Sequence, residues 1–130
     1  MKTSFVIPAH NEEQYILPCL EAIYALRELS DFEIIVVDNN STDKTFGIIR
    51  ERFPDVHILT ETQKGPNFAR QKGFQESRGD IVVFFDADTR APRWWYKKAM
   101  RLFAKNPHLS GVSGTYMFYE LESLFWRVAQ

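Results

Sequence analysis

Three short apolar runs end abruptly in polar loops, and each loop leads into a segment of helical character. Phe5-Val6-Ile7 runs into Pro8-Ala9-His10-Asn11-Glu12-Glu13, and Ile34-Ile35-Val36-Val37 into Asp38-Asn39-Asn40-Ser41-Thr42-Asp43. Ile81-Val82-Val83-Phe84-Phe85 runs into Asp86-Ala87-Asp88-Thr89. Short runs rich in β-branched and aromatic residues read as strands buried on both faces. Strands alternating with helices predict an α/β chain, a mainly parallel twisted sheet with helices on both faces. Sheets of that kind bind ligands outside the carboxyl ends of their strands. Carboxylates from separate strand ends at one edge form a site more readily than three unrelated turns.

The expected elements follow from period and punctuation. A first strand spans 4–8, and a helix follows from near Ile16 to Leu29 with Ile16, Leu20, Ile23 and Leu26 on one stripe. Pro18 fits only in its first turn. A second strand spans 33–38. The second helix is expected to be capped by Ser41 or Thr42 and to stop before Pro54. Val56–Thr60 is a third strand, and a third helix runs from Pro66 or Asn67 to Arg78, closed by Gly79. Strand four spans 80–85. Pro92 opens a fourth helix that buries Trp95, Ala99, Leu102 and Phe103, and Gly111–Tyr119 reads as a fifth strand before a further helix.

At 130 residues and 45% hydrophobic, the chain is expected to form one domain over 1–130. The single cysteine, Cys19, excludes an internal disulfide and a cysteine-based zinc site, and reads as a buried helix residue. No run is long enough to span a membrane and no leader precedes the first strand. A cytoplasmic setting is the resulting expectation. The net charge of −1 conceals an asymmetry. Residues 1–88 hold 15 acids and 9 bases, whereas residues 89–130 hold 2 acids and 7 bases. Arg90, Arg93, Lys97, Lys98, Arg101 and Lys105 gather on one helix, which is either a solvated face or a contact for an anionic membrane surface or a phosphate-bearing acceptor. A peripheral position at the cytosolic face of a membrane follows from the second reading. The acidic, carboxylate-rich remainder argues against nucleic acid.

Asp86 and Asp88 are separated by one small residue, so both side chains can approach one point. Hard oxygen ligands of that kind suit Mg2+ or Mn2+ carrying phosphates. An acidic turn is the plainer alternative, since Asp is a common turn residue. Neither a G-x-G-x-x-G loop nor a Walker loop is present, so phosphates must be held by a metal and by side chains.

Four segments, Phe5–Glu13 (FVIPAHNEE), Val36–Thr45 (VVDNNSTDKT), Gly65–Gly73 (GPNFARQKG) and Asp80–Asp88 (DIVVFFDAD), together resemble the inverting family 2 glycosyltransferases of the Rossmann-like GT-A fold. The match covers roughly residues 3 to 120. The resemblance implies transfer of a sugar from a nucleotide-sugar donor, a UDP- or GDP-sugar, assisted by a divalent metal. It also implies roles for matching positions. Pro8, His10 and Glu12 would contact the nucleoside, with His10 standing where tyrosine is common. Asp38 would accept a hydrogen bond from the base. Arg70 would steady the diphosphate through its bidentate fork. Asp86 would contact ribose or metal, and Asp88 would ligate the metal.

Members of that family supply a later acidic residue as general base, and the only later acids here are Glu120 and Glu122. The chain is therefore expected to be a C-terminally incomplete, donor-binding portion, with its base unassigned. Self-association through Phe118, Tyr119, Leu124, Phe125 and Trp126 is a further expectation. Two other functions compete. A sugar nucleotidyltransferase would need a glycine- and cation-rich loop after strand one, where Pro8–Glu12 has neither. A non-catalytic nucleotide-sugar binding module would also lack the base.

Overall fold

The structure is a computed structural model that describes residues 1–27 and 31–114. Two compact units divide the chain, Met1–Lys98 and Ala99–Gln130. Along the chain the elements are β1 (Thr3–Ala9), α1 (Ile16–Tyr24), β2 (Phe32–Asp38), α2 (Thr45–Arg52), β3 (His57–Thr60), α3 (Pro66–Glu76), β4 (Ile81–Phe84) and α4 (Arg93–Lys105). The four strands form one sheet in the order β3-β2-β1-β4, with every pairing parallel.

Alternation along each strand separates the two faces. On one face Val6, Ile35 and Val37 pack with Ala69 of α3, flanked by Leu59 and Val82. On the other, Phe5 stacks on Phe85 at 5.8 Å, meets Phe32 edge-on at 5.2 Å, and lies 5.9 Å from Tyr96 of α4. Helix α1 buries Ile16, Cys19, Leu20 and Ile23, the stripe its 3.6 period predicts.

Helix α3 is mostly polar and lies close to the sheet because of one residue. A Cβ at Gly73 would sit 2.4 Å from Val6 Cγ1 and 3.1 Å from Val37 Cγ2. Both valines are fully buried, so neither can move aside cheaply. Gly73→Ala is expected to lower stability by about 1–3 kcal/mol despite alanine's better helix propensity. Urea unfolding would read this as a lower midpoint; an unchanged midpoint would mean that α3 is free to ride outward.

The chain departs from the expected elements in five places. Helix α1 ends at Tyr24, with residues 25–27 in a turn, and does not run on to Leu29 as one helix. Helix α2 starts at Thr45, and neither Ser41 nor Thr42 caps it. Instead Asp43 Oδ1 accepts the Thr45 N–H at 2.9 Å and its hydroxyl at 2.6 Å. Helix α3 ends at Glu76 with Ser77 as its cap, and Gly79 serves a different need: a Cβ there would meet Ser4 N at 2.6 Å. In α4 the fully buried aromatic is Tyr96, with Trp95 only half-buried against Phe85. Residues 111–114 are in no strand, and the rest of the expected fifth strand lies outside the described residues.

Candidate functional site

The strand order sets the place of the site. From β1 the chain steps outward to β2 and β3, then returns to add β4 on the other side of β1. This reversal opens a crevice beyond the carboxyl ends of β1 and β4, where ligands bind in doubly wound sheets. Ala9, Asp38 and Thr60 end β1, β2 and β3 level with one another. Strand β4 leaves the ladder opposite Val6, and its last link is the Phe85 N–H donating to Val6 O at 3.1 Å.

The chain then turns, with Thr89 N–H donating to Asp86 O at 2.9 Å. Ala87 faces inward, 2% exposed, and Asp88 faces solvent. The Cys19 thiol lies below, 3.7 Å from Asp86 O. Burial, reinforced by the negative charges of Asp88, Glu12 and Asp86, pushes that thiol up to about 12, so it serves as packing and not as a nucleophile.

Asp86 Oδ1 accepts a 2.5 Å bond from Arg70 Nη2, an ion pair joining α3 to the loop after β4. Asp88 has no hydrogen-bond or ion-pair partner among the described residues. Glu12 is held above the usual carboxylate range, first by burial and then by Asp88, Asp43 and Asp86, with His10 opposing. Carboxylates from the first and last strand ends therefore feel each other without full compensation, which favours a cation arriving from solution. Among the described residues no three His, Cys, Asp or Glu side chains are grouped to hold an ion alone. Two carboxylate arms with room for phosphate and water are the donor set that magnesium-like ions accept, so the residues fit such a metal bound together with a nucleotide.

The side expected to face the nucleoside is built from the loops after β1 and β2. His10 Nδ1 lies 2.8 Å from Asn39 O. A carbonyl can only accept, so Nδ1 carries the hydrogen of this contact. Asp38 Oδ1 accepts the Ser41 N–H at 3.3 Å, so this carboxylate shapes its own turn with one oxygen. Glu12 is fixed by its backbone, donating to Thr45 Oγ1 at 2.8 Å. Pro8 is half-buried one residue before the end of β1.

Two residues that hold these loops together carry no sequence signal beyond their type. Asn11, at φ 55°, accepts the Thr42 N–H at 2.8 Å and the Asp43 N–H at 3.3 Å through Oδ1. Asn39 donates to Glu61 O at 2.8 Å and Gln63 O at 2.7 Å, and accepts the Gly65 N–H at 2.8 Å. Asparagine at strand ends hints at left-handed turns, a cue that reaches Asn11 and Asn40 (φ 63°) but not Asn39. Glu120 and Glu122, considered as bases, and the C-terminal aromatic residues considered for self-association lie outside the described residues.

Comparison with known proteins agrees with this fold. The sequence model described as "Glycosyl transferase family 2" matches residues 4–130. A Methanococcus voltae protein, dolichyl N-acetyl-alpha-D-glucosaminyl phosphate 3-beta-D-2,3-diacetamido-2,3-dideoxy-beta-D-glucuronosyltransferase, is 31% identical over 121 residues, 85% of this chain and 38% of its own length. Mannosyltransferase PcManGT from Pyrobaculum calidifontis, solved with GDP-Man and Mn2+, superimposes with a TM-score of 0.79 at 31% identity, over 88% of this chain and 35% of its own. S. aureus TarS 1-349 in complex with UDP superimposes with a TM-score of 0.74 at 25% identity, over 91% and 38%. The chain thus spans well under half the length of each of these three proteins.

Proposed function

Because the chain belongs to glycosyl transferase family 2 and carries its Rossmann-like GT-A fold, we propose that its sheet edge is the donor half of a site transferring sugar from a nucleotide-sugar to an acceptor hydroxyl. The observation that supports this reading is that Asp38, at the end of β2, and the Arg70–Asp86 pair and Asp88, after β4, all lie at the carboxyl edge of one parallel sheet. In this reading Asp38 offers its second carboxylate oxygen to the base, and His10 and Pro8 bound the nucleoside beside it. Arg70 exchanges part of its contact with Asp86 for diphosphate oxygens, which its planar fork suits. Asp88, with Asp86, holds the divalent metal, Mg2+ or Mn2+, whose chemistry there is to neutralise charge on the departing nucleoside diphosphate. Glu12 adds negative charge that favours the cation. UDP or GDP is the nucleotide class, supported by the two similar structures solved with UDP and with GDP-Man.

Asp38→Asn separates the base contact from the turn. The amide can still accept the Ser41 N–H but offers no second acceptor to a base N–H. Affinity for UDP or GDP is expected to fall by about 1–3 kcal/mol, the cost of one unpaired polar contact. Affinity for inorganic pyrophosphate is expected to stay level. Calorimetric titration of both ligands in the presence of Mn2+ checks this, and equal losses on both would remove Asp38 from the base pocket.

A further inference from the structure

Helix α4 (RWWYKKAMRLFAK) begins in the first unit, which ends at Lys98, and its part there is held through Trp95 and Tyr96. The Tyr96 hydroxyl lies 3.0 Å from Thr3 Oγ1 and its ring 5.9 Å from that of Phe5, while the Trp95 ring meets that of Phe85 at 5.2 Å. At about 100° per residue, Lys97, Arg101, Trp94, Lys105 and Lys98 fall within an arc of about 100° on the side away from Tyr96, with Arg93 flanking it. Lys97 and Lys98 are exposed and have no carboxylate partner among the described residues. Between Thr89 and Tyr119 the sequence itself holds no acid.

An ordinary solvated basic face has no use for an indole at its centre, yet Trp94 is 64% exposed there. Its neighbour Tyr96 already takes the inward position, with Trp95 half-buried beside it, so Trp94 is not a core residue turned the wrong way. Lysine and arginine around an exposed tryptophan are what a helix lying in a membrane interface presents: cations to anionic headgroups and an amphipathic ring at headgroup depth. The face is convex and spreads its charge over roughly 20 Å, which suits a broad surface better than a single phosphate. Residues 1–88 are net acidic, which disfavours a nucleic acid lying across them. We infer that the exposed face of α4 docks the protein on an anionic lipid bilayer. Among the described residues no helix is long and apolar enough to cross a membrane, so the contact is peripheral.

Vesicle co-sedimentation tests this without reference to the donor site. The 130-residue chain is expected to bind phosphatidylglycerol–phosphatidylcholine vesicles, to lose that binding in high salt, and to ignore phosphatidylcholine alone. Each cation removed should weaken partitioning about fivefold, so Lys97→Gln/Lys98→Gln/Arg101→Gln should weaken it by roughly 100-fold. Brominated lipid should quench tryptophan emission in the wild type and do so less in Trp94→Phe. Circular dichroism establishes that the variants are folded, and their nucleotide affinity, expected unchanged, reads the donor site separately. Equal vesicle binding by wild type and triple variant, equal binding to neutral vesicles, or binding to soluble polyphosphate without binding to vesicles would each overturn the proposal.

Discussion

Replacing Asp88 by asparagine is expected to weaken Mn2+-dependent binding of UDP or GDP by roughly 100-fold or more while leaving the fold intact. Outer-shell partners of a metal already cost about 10–100-fold when removed, so a carboxylate in direct contact should exceed that range. The fold should survive because Asp88 is exposed and partnerless among the described residues, so asparagine there breaks no internal contact. Removing one charge from the group that raises Glu12 should if anything relieve repulsion. Asp86→Asn is a poorer test, because it would also release Arg70 from its 2.5 Å pair. Calorimetry of nucleotide with and without Mn2+ reads the effect directly. A mutant whose affinity still rises on adding Mn2+, as the wild type's should, would take Asp88 out of the metal site.

The parts of this site legible in the sequence are those encoded by contrast along the chain. Ile34–Val37 and Ile81–Phe85 stop sharply at Asp38 and Asp86, so the strand ends, and with them the carboxylates, were placed by pattern alone. Errors arose where several residues compete for one task. Ser41, Thr42 and Asp43 can all cap a helix, and the hydrogen bonds of Thr45 select Asp43. Trp94, Trp95 and Tyr96 are consecutive aromatics, so the period alone does not fix which one enters the core; the Thr3 hydroxyl selects Tyr96. The Arg70–Asp86 pair joins residues whose sequence roles were each visible, but their contact depends on how α3 crosses the sheet. Asn39 was invisible because its partners are backbone groups, and every residue carries those.

Asn39 therefore supports the second large effect. It is 6% exposed, and its amide satisfies three backbone groups of the segment between β3 and α3: two carbonyls, Glu61 O and Gln63 O, and the Gly65 N–H. Its own backbone reaches the other way, its N–H donating to Ala9 O at 2.8 Å and its carbonyl facing His10 Nδ1. One residue thus ties the loop after β1 to the turn at Gly65 (φ 130°), from which α3 carries Arg70 toward Asp86. Asn39→Asp has nearly the same shape but replaces both donors with an acceptor, so two carbonyls face a buried carboxylate. An uncompensated buried charge costs on the order of 3–5 kcal/mol, a large fraction of the 5–15 kcal/mol that holds an ordinary domain together. The introduced carboxyl should be easier to protonate in the folded chain than in the unfolded one. A group whose folded pKa is raised contributes its stability at low pH and loses it as pH rises through that value. The deficit should therefore shrink on acidification, when the acid can again donate one hydrogen bond. Asn40→Asp is the control: Asn40 is less buried, its bonds to Glu61 O and Thr62 O are longer at 3.2 and 3.0 Å, and aspartate tolerates its φ of 63°. Urea unfolding of both variants across the acid range would test the difference. If Asn39→Asp unfolds at the wild-type midpoint at neutral pH, or costs no more than Asn40→Asp, the segment before α3 is held by other contacts.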